Sequence, residues 1–424
     1  MEADREGMTV NKIKVAVVGG GTGGLCLAHG LVRAGFQVAV YERSRTRADR
    51  LQGYRVHIAP MGSAALHECL PPAAWERFLA TTGVSKGTFG FVTEQMRELA
   101  VLDPPPGSDP AAAHHSASRI SMHQVLSSGL EEVLWYDKEF VRYETDAKGV
   151  GLHFADGTTA EADLVVGADG ANSRVRAQLL PHAKRVDTGI RTVIGKFPLT
   201  PESRALIPHR LATAPTFVLP PPGCGMFTAP HEFSAASEND ESATVDPVLF
   251  DNTSSYVMWS YGAKAAHFPA DLAELAVPEL RSVVLDRIRD WHPSFSRVVR
   301  DSLDATVAML PIRTSVPVRE WETGPVTLLG DAVHSMTPFR GIGANIALRD
   351  AQVLCRNLSR GGDVTAAVAD YERQMRKYAY PQVRGSLRSA DQFVTESRFS
   401  RGAMRASTAA MGVGLSLRRK LRAR

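Results

Sequence analysis

Three acidic side chains, Glu42, Asp169 and Asp331, each stand just past a short apolar run. Runs of that length read as buried strands, and ligands of open parallel sheets bind at the carboxyl ends of the strands. Ahead of Glu42, the glycines Gly19, Gly21 and Gly24 fall in G-x-G-x-x-G register between the apolar runs Val15 to Val18 and Val38 to Tyr41. The first glycine allows a tight turn, the second lets a pyrophosphate approach the backbone, and the third lets helix and strand pack closely. The helix that follows, with Thr22 and Gly23 in its first turn, offers free N–H groups and the positive end of its dipole to the phosphates. Glu42 sits where a carboxylate accepts from a ribose diol. The unit therefore predicts an adenine dinucleotide. Arg43 could meet a 2′-phosphate, which Glu42 would repel, so the unit leaves open which dinucleotide it holds.

The elements that must position these groups are legible around them. Leu25, Leu27, Ala28, Leu31 and Val32 recur at helical spacing up to Gly35, a helix stop. Residues 134 to 166 alternate and turn at "DAKG" and Asp156-Gly157, which predicts a three-stranded antiparallel meander ending in the strand Leu164 to Val166. "GADGANSRVR" follows; Asp169 by itself also suits a cap for a helix beginning near Ser173. In "TLLGDAVHSMTPFRGIGAN", residues 327 to 345, the strand Val326 to Leu329 delivers Asp331, itself another possible cap. Gly341 and Gly343 then precede a helix whose N–H groups, at Ala344 and Asn345, could receive negative charge. His334 lies between Asp331 and Pro338, either facing the ligand or supporting it.

With 424 residues the chain has room for about two or three domains. Its 44% hydrophobic and 22% charged content is that of a soluble globular protein. No apolar run approaches the ~20 residues of a membrane helix, and "MEADREGMTVNK" does not read as a signal peptide. Cys26, Cys69, Cys224 and Cys355 lack C-x-x-C spacing, so buried thiols in a reducing cytoplasm are expected rather than disulfides or zinc. A net charge of +4 on a chain this size is only weak evidence for a nucleic-acid partner, and none is expected. Five of the last seven residues are Arg or Lys, a tail that could touch acidic lipid or nucleic acid or simply fray. His114-His115, in a Pro/Ala-rich stretch without ligand spacing, read as loop histidines, and no metal site is expected.

Taken together, the G-x-G-x-x-G unit with Glu42, the "DG" of "GADGANSRVR" and the "GD" of "LLGDAVHSMTPFRGIGANIALRDA" resemble the FAD-dependent aromatic hydroxylases and related single-component flavin monooxygenases. "RISMHQVLSSGL" is similar to the family's R-x-x-L-x-x-x-L helix, with Met122 in the leucine place. The resemblance runs from about residue 12 to 380 and is almost absent from 184 to 300. It implies FAD as cofactor, with Asp331 at the ribityl and phosphate region. The helix start Gly341–Asn345 would face the pyrimidine edge of the flavin, Arg119 the ribityl or pyrophosphate, and Asp169 would hold the "DG" turn. It implies that NADPH or NADH reduces FAD, that oxygen adds to give a flavin hydroperoxide, and that one oxygen atom reaches a small-molecule substrate. The flavin carries that chemistry, so no side chain is assigned as catalytic. Arg55 and His57, alternating on "YRVHI" in a strand that the resemblance runs beneath the flavin, are the candidates to tune oxygen transfer.

The resulting expectation is an α/β protein. A discontinuous Rossmann-like FAD-binding domain (11–60, 116–183 and 300–380) joins a β-sheet-rich substrate domain (61–115 and 184–299), closed by C-terminal helices with a basic tail (381–424). Only about 45 residues follow "YAYPQ", too few for the thioredoxin-like third domain of larger members. Phe217, Met226, Phe227, Val257 and Trp259, with Pro338, are expected to line an apolar pocket. No carboxylate clamp is visible between them, which points to a mostly apolar, aromatic or polycyclic substrate of secondary-metabolite tailoring or antibiotic modification. Hydroxylation, epoxidation and Baeyer–Villiger insertion share these motifs. A related reductase or halogenase and a catalytically silent flavin-binding regulator are the competing readings, although the halogenase W-x-W-x-I-P motif is absent. The protein is expected as a monomer or homodimer.

Overall fold

The computed structural model describes residues 13–45, 55–83, 88–103, 109–233 and 254–422; Tyr54 and the segment ahead of it fall outside them. The chain opens with β1 (Lys14–Val18), α1 (Thr22–Arg33), β2 (Gln37–Tyr41), β3 (Arg55–Ile58), α2 (Pro60–Cys69) and α3 (Pro72–Ala80). Next come β4 (Phe89–Val92), β5 (Glu98–Leu102), β6 (His115–Ser118), α4 (Arg119–Ser127), β7 (Leu134–Trp135), β8 (Phe140–Asp146), β9 (Gly149–Phe154), β10 (Thr159–Ala162), β11 (Leu164–Gly167) and α5 (Arg174–Leu179). The middle region supplies β12 (Arg185–Pro198), α6 (Pro201–Ala205), α7 (His209–Thr213), β13 (Thr216–Val218), β14 (Cys224–His231), β15 (Tyr256–Lys264), α8 (Val277–Arg287), α9 (Pro293–Arg300) and β16 (Ala308–Ser315). The rest is β17 (Val326–Leu328), α10 (Asp331–His334), α11 (Gly343–Ser359), α12 (Val364–Phe393) and α13 (Arg398–Arg422).

Two sheets organise the molecule. A five-stranded parallel sheet runs β17-β11-β1-β2-β7. Its central strands β1 and β11 are buried almost throughout, as parallel strands covered on both faces must be. Helices α1 and α11 and the expected meander β10-β9-β8 pack into the same core. The second sheet runs β16-β12-β15-β14-β13-β4-β5. It is antiparallel except where β13 lies parallel to β4, a pairing that sequence alternation does not reveal. One of its faces buries Val218, Met226, Trp259 and Tyr261 against α8 and α9.

Three expected boundaries move. Ala65, Leu66, Trp75 and Phe78 of α2 and α3 belong to the core of the parallel sheet, so residues 60 to 80 sit on the nucleotide side rather than with 61–115. Strand β16, expected with the nucleotide domain, is the edge of the seven-stranded sheet, paired with β12. The break at 380 does not exist: α12 is one helix that runs through Pro381. Proline lacks the N–H for the bond back to residue 377, yet burial of Val383, Ser386, Ala390 and Phe393 beyond it keeps the helix going.

That helix ties the sheets together. Near its start, Glu372 accepts from Thr327 Oγ1 (2.8 Å) and Thr323 Oγ1 (2.7 Å), and Tyr371 OH donates to Leu328 O (2.8 Å), all beside β17. At its end the Phe393 ring lies on the second sheet at Gly225 and Gly262, where a Cβ would come within 2.7 and 3.0 Å of the ring. Gly225→Ala is therefore expected to cost about 1–3 kcal/mol by overpacking. Pairing it with Phe393→Leu should recover part of that loss in a thermal-unfolding double-mutant cycle, whereas simple additivity would show that the two do not press on each other.

Candidate active site

The turn between β1 and α1 forms a cradle for which glycine is required. Gly19 has φ +114°, a conformation L side chains avoid, and a Cβ there would meet Ala168 O at 2.4 Å. Gly24 packs on Gly19 O, where a Cβ would sit at 2.2 Å, while Gly21 has nothing within 4 Å. Close packing is thus confined to the first and third glycines, and the second faces open space. Gly23 is buried against Leu329 and Ala347, so it supports the cradle from below instead of lining it. The open space is a cavity of about 250 Å³ bordered by Gly19, Gly21, Thr22, Glu42, Arg43, Arg119 and Asp169. Glu42 spans its mouth: Oε2 accepts from Gly20 N (2.7 Å) and Oε1 from Ser44 N (2.8 Å), which leaves a lone pair on each oxygen.

Asp169 and Asp331 stand past the ends of β11 and β17, neighbouring parallel strands. Asp169 does cap α5 through Oδ2, which accepts from Arg174 N (2.7 Å) and Val175 N (3.2 Å). Its Oδ1 is buried without a partner, a condition that calls for a donor. Arg176 joins the two segments, donating to Ala332 O (2.8 Å) and Ala171 O (3.1 Å). It is the second arginine of "SRVR", and its spacing from Asp169 was the available signal.

Beneath Asp331 lies a fully buried hub. Asp350 accepts from Gly330 N (2.8 Å), Tyr378 OH (2.7 Å) and His334 Nε2 (2.6 Å). His334 is therefore a support with no exposed surface. Burial disfavours its charged form, but the Asp350 carboxylate outweighs burial and leaves the imidazole above its usual range. Asn345 is a second support. Its Oδ1 accepts from Ala59 N (2.7 Å) and its Nδ2 donates to His57 O (2.8 Å), which spends the side chain on the β3–α2 junction. Gly62 is required there, because a Cβ would lie 2.3 Å from Asn345 Oδ1. The first-turn N–H groups of α11, at Gly343, Ala344 and Asn345, have no intrahelical acceptor.

Arg55 and His57 share one face of β3 with Ser116 of β6, turned toward the second sheet. Arg55 Nε donates to Ser116 Oγ (2.7 Å), and Ser116 Oγ lies 3.1 Å from His231 Nδ1. The serine oxygen accepts from arginine and shares a hydrogen bond with Nδ1, so the other ring nitrogen of His231, Nε2, is the one left to meet a ligand. That nitrogen is buried and unpartnered. Burial, then the charge on Arg55, holds His57 down to about 4 and His231 down to about 3, so both rings are neutral at pH 7. His114 is no isolated loop residue: its ring stacks on His57, with Nδ1 3.0 Å from His57 Nε2, and His115 begins β6. Among the described residues no cluster of His, Cys, Asp or Glu could hold a metal.

Further along the same face of the sheet lies an aromatic patch. Phe217 meets Phe227 (5.8 Å between ring centres), Phe91 (6.1 Å) and Phe393 (5.2 Å), and Phe393 meets Phe339, next to Pro338, at 4.6 Å. Met226, Val257 and Trp259 are corrected out of the pocket. They are completely buried in the core behind the sheet, and the Trp259 indole donates to Ser302 Oγ (2.6 Å). Phe227 is one residue from Met226, and strand neighbours face opposite ways.

Comparison with known proteins decides the family. The family described as "FAD binding domain" matches residues 12–215 and 301–380. The chain belongs to it. A putative FAD-containing monooxygenase from Photorhabdus luminescens is 34% identical, with a TM-score of 0.81 over 90% of this chain and 99% of its own. The 3-amino-4-hydroxybenzoate 2-monooxygenase of Streptomyces platensis is 30% identical over 81% of this chain and 79% of its own. A dual O-methyltransferase/FAD-dependent monooxygenase of Cercospora beticola is 28% identical over 86% of this chain; the chain spans only 44% of that relative's length.

The FAD-binding chain fits its cofactor by two observations: the open approach at Gly21 and the unpartnered Oδ1 of Asp169. Two outcomes follow. Gly19→Ala, strained by its φ and its Cβ contact, should abolish retention of FAD on a desalting column, whereas Gly21→Ala should weaken it in isothermal titration without unfolding the protein. The His334–Asp350 pair sets a pH dependence. A raised folded value means that its stabilisation is complete below the unfolded imidazole value of about 6.5 and is lost as pH rises through the folded one. Thermal midpoints of the wild type should therefore fall more steeply above neutrality than those of His334→Gln; parallel curves would show that the pair does not titrate. Asp350→Asn, which removes the carboxylate that takes donors from Gly330, Tyr378 and His334, should cost about 3–5 kcal/mol.

Proposed function

We propose that this chain is an FAD-dependent monooxygenase that uses NADH or NADPH and O₂ to place one oxygen atom on a mostly apolar aromatic or polycyclic small molecule. The observation that carries the reading is the second sheet's open face, which offers a phenylalanine patch and a buried, unpartnered imidazole nitrogen on the same side as the flavin-binding elements. When bound, FAD supplies hydride acceptance from the nicotinamide and transfer of one oxygen atom to the substrate. Gly19, Gly21 and Thr22 would hold the pyrophosphate with the N-terminus of α1, and Glu42 the adenosine ribose, with Arg43 at the mouth. Arg119, Asp169 and Asp331 would hold the phosphate and ribityl region. The free N–H groups of Gly343, Ala344 and Asn345, next to the left-handed turn at Gly341, would stabilise negative charge on the reduced ring. A reducing cytoplasm is the proposed location.

Phe217, Phe227 and Phe339, with Pro338 at the edge, would take the flat apolar body of the substrate by stacking and edge contacts. The chain Arg55–Ser116–His231 would hold a carbonyl or phenol oxygen at Nε2 of His231, fixing which carbon is presented for oxygen transfer. This polar end adds cationic groups to a region in which the sequence shows no carboxylate clamp. Arg55 arrives from β3, and Lys196 comes from within an apolar strand, its ammonium 4.3 Å from the Tyr256 ring centre.

Mixing the FAD-loaded protein with NADPH or NADH without oxygen should bleach the flavin absorbance, and an aromatic substrate should accelerate it. Absence of bleaching with every donor and every member of an aromatic panel would support a silent flavin-binding regulator. Arg55→Ala and His57→Ala test the role of β3. Arg55→Ala is expected to lower product formed per NAD(P)H consumed by several-fold, with reduction itself retained; an unchanged ratio in both variants removes these residues from oxygen transfer.

A further inference from the structure

Helix α13 is fixed to the molecule by one face only. Arg401 is buried and donates to Cys224 O (2.8 Å) and Phe393 O (2.7 Å), and Arg405 pairs with Glu94 (2.6 Å). Gly412 lies so close to β5 that a Cβ would meet Leu99 O at 2.1 Å. These contacts orient the opposite face outward. On it Phe399, Ala403, Ala406, Ala410, Val413, Leu417 and Leu421 follow one another at spacings of three and four residues, all exposed. That spacing keeps them on a single stripe of about 33 Å, at 1.5 Å per residue. Phe399 is 86% exposed, Val413 60%, Leu417 56% and Leu421 73%. With Met411 they are five of the twelve exposed large apolar residues among those described. An apolar face of this extent marks an interaction surface.

The charge on the helix says what covers it. Seven of its residues are Arg or Lys and none is Asp or Glu. Arg401 and Arg405 are spent inside the fold, whereas Arg398 and Arg418 are exposed, and Arg419, Lys420 and Arg422 follow Arg418 in the sequence. Pairing this helix with the same helix of a second copy would bring cations together at its ends, with no acid in either helix to answer them. An anionic bilayer surface answers both properties, because acyl chains take the apolar stripe and phosphate headgroups take the arginines and lysine. Among the described residues no helix is long and apolar enough to cross a membrane, so the helix would lie in the interface plane.

We propose that α13 docks the protein reversibly on anionic phospholipid surfaces through the Phe399–Leu421 stripe. The inference stands apart from the proposed reaction and is tested without it. Full-length, FAD-loaded protein is sedimented with vesicles of phosphatidylcholine alone and of phosphatidylcholine mixed with phosphatidylglycerol. Binding is expected only to the mixed vesicles, weakening as salt is raised. Val413→Asp with Leu417→Asp should lower the partition coefficient at least about tenfold, with the thermal midpoint and FAD content unchanged, since both positions are exposed. No sedimentation with the anionic vesicles, or equal binding to neutral ones, overturns the proposal. So does a dimer in sedimentation velocity that the double variant splits, because the stripe would then be covered by a second copy.

Discussion

A single buried carboxylate governs how the site is assembled. Asp350 has no exposed surface, and a charge in that position is tolerated only if both of its oxygens are hydrogen-bonded. Its partners arrive from three directions: Gly330 N from the end of β17, His334 from α10 and Tyr378 from α12. Meeting them fixes the turn that carries Asp331, the start of α11 and the angle at which α12 leaves. Removing any partner leaves the others misaligned or the charge uncompensated, so the turn has one conformation rather than several.

From that hub the two halves of the molecule are aligned by α12. One end is pinned to the parallel sheet by Glu372 and Tyr371, the other to the seven-stranded sheet by Phe393. Each contact is specific in a different way. Glu372 gathers three donors that would otherwise be buried without acceptors, and Phe393 fills a space available only because residues 225 and 262 are glycine. The site between the sheets inherits this rigidity. Asn345 carries it across to β3, and Ser116 carries it on to His231.

Electrostatics divide the site into two characters. The cradle is bordered by acidic and basic side chains, Glu42, Asp169, Arg43 and Arg119, at the ends of strands and helices. On the opposing side the imidazoles of His57 and His231 are held neutral by burial and by Arg55. His231, kept neutral, leaves its buried Nε2 without a protein partner and needs no counter-ion.

How much of this was legible depended on the distance over which each constraint acts. The cradle reads directly, because Gly19, Gly21, Gly24 and Glu42 act within one β–α–β unit and the steric demand for glycine is local. The carboxyl-end positions of Asp169 and Asp331 follow from strand endings alone. Sidedness did not follow: Phe217 and Phe227 lie toward the pocket and Met226 and Trp259 behind it, since composition cannot tell which of two apolar-lined faces meets which core. The polar chain Arg55–Ser116–His231 joins residues 61 and 115 positions apart, and no spacing rule reaches that far. Likewise Pro381 announced a boundary that the burial of the residues beyond it overrode. What the sequence by itself determined was local: a glycine turn, an acid at the end of the second strand and two strand-end aspartates. The tertiary structure alone decided which distant side chains share a dry space, because desolvation and packing act between residues that the chain brings together only on folding.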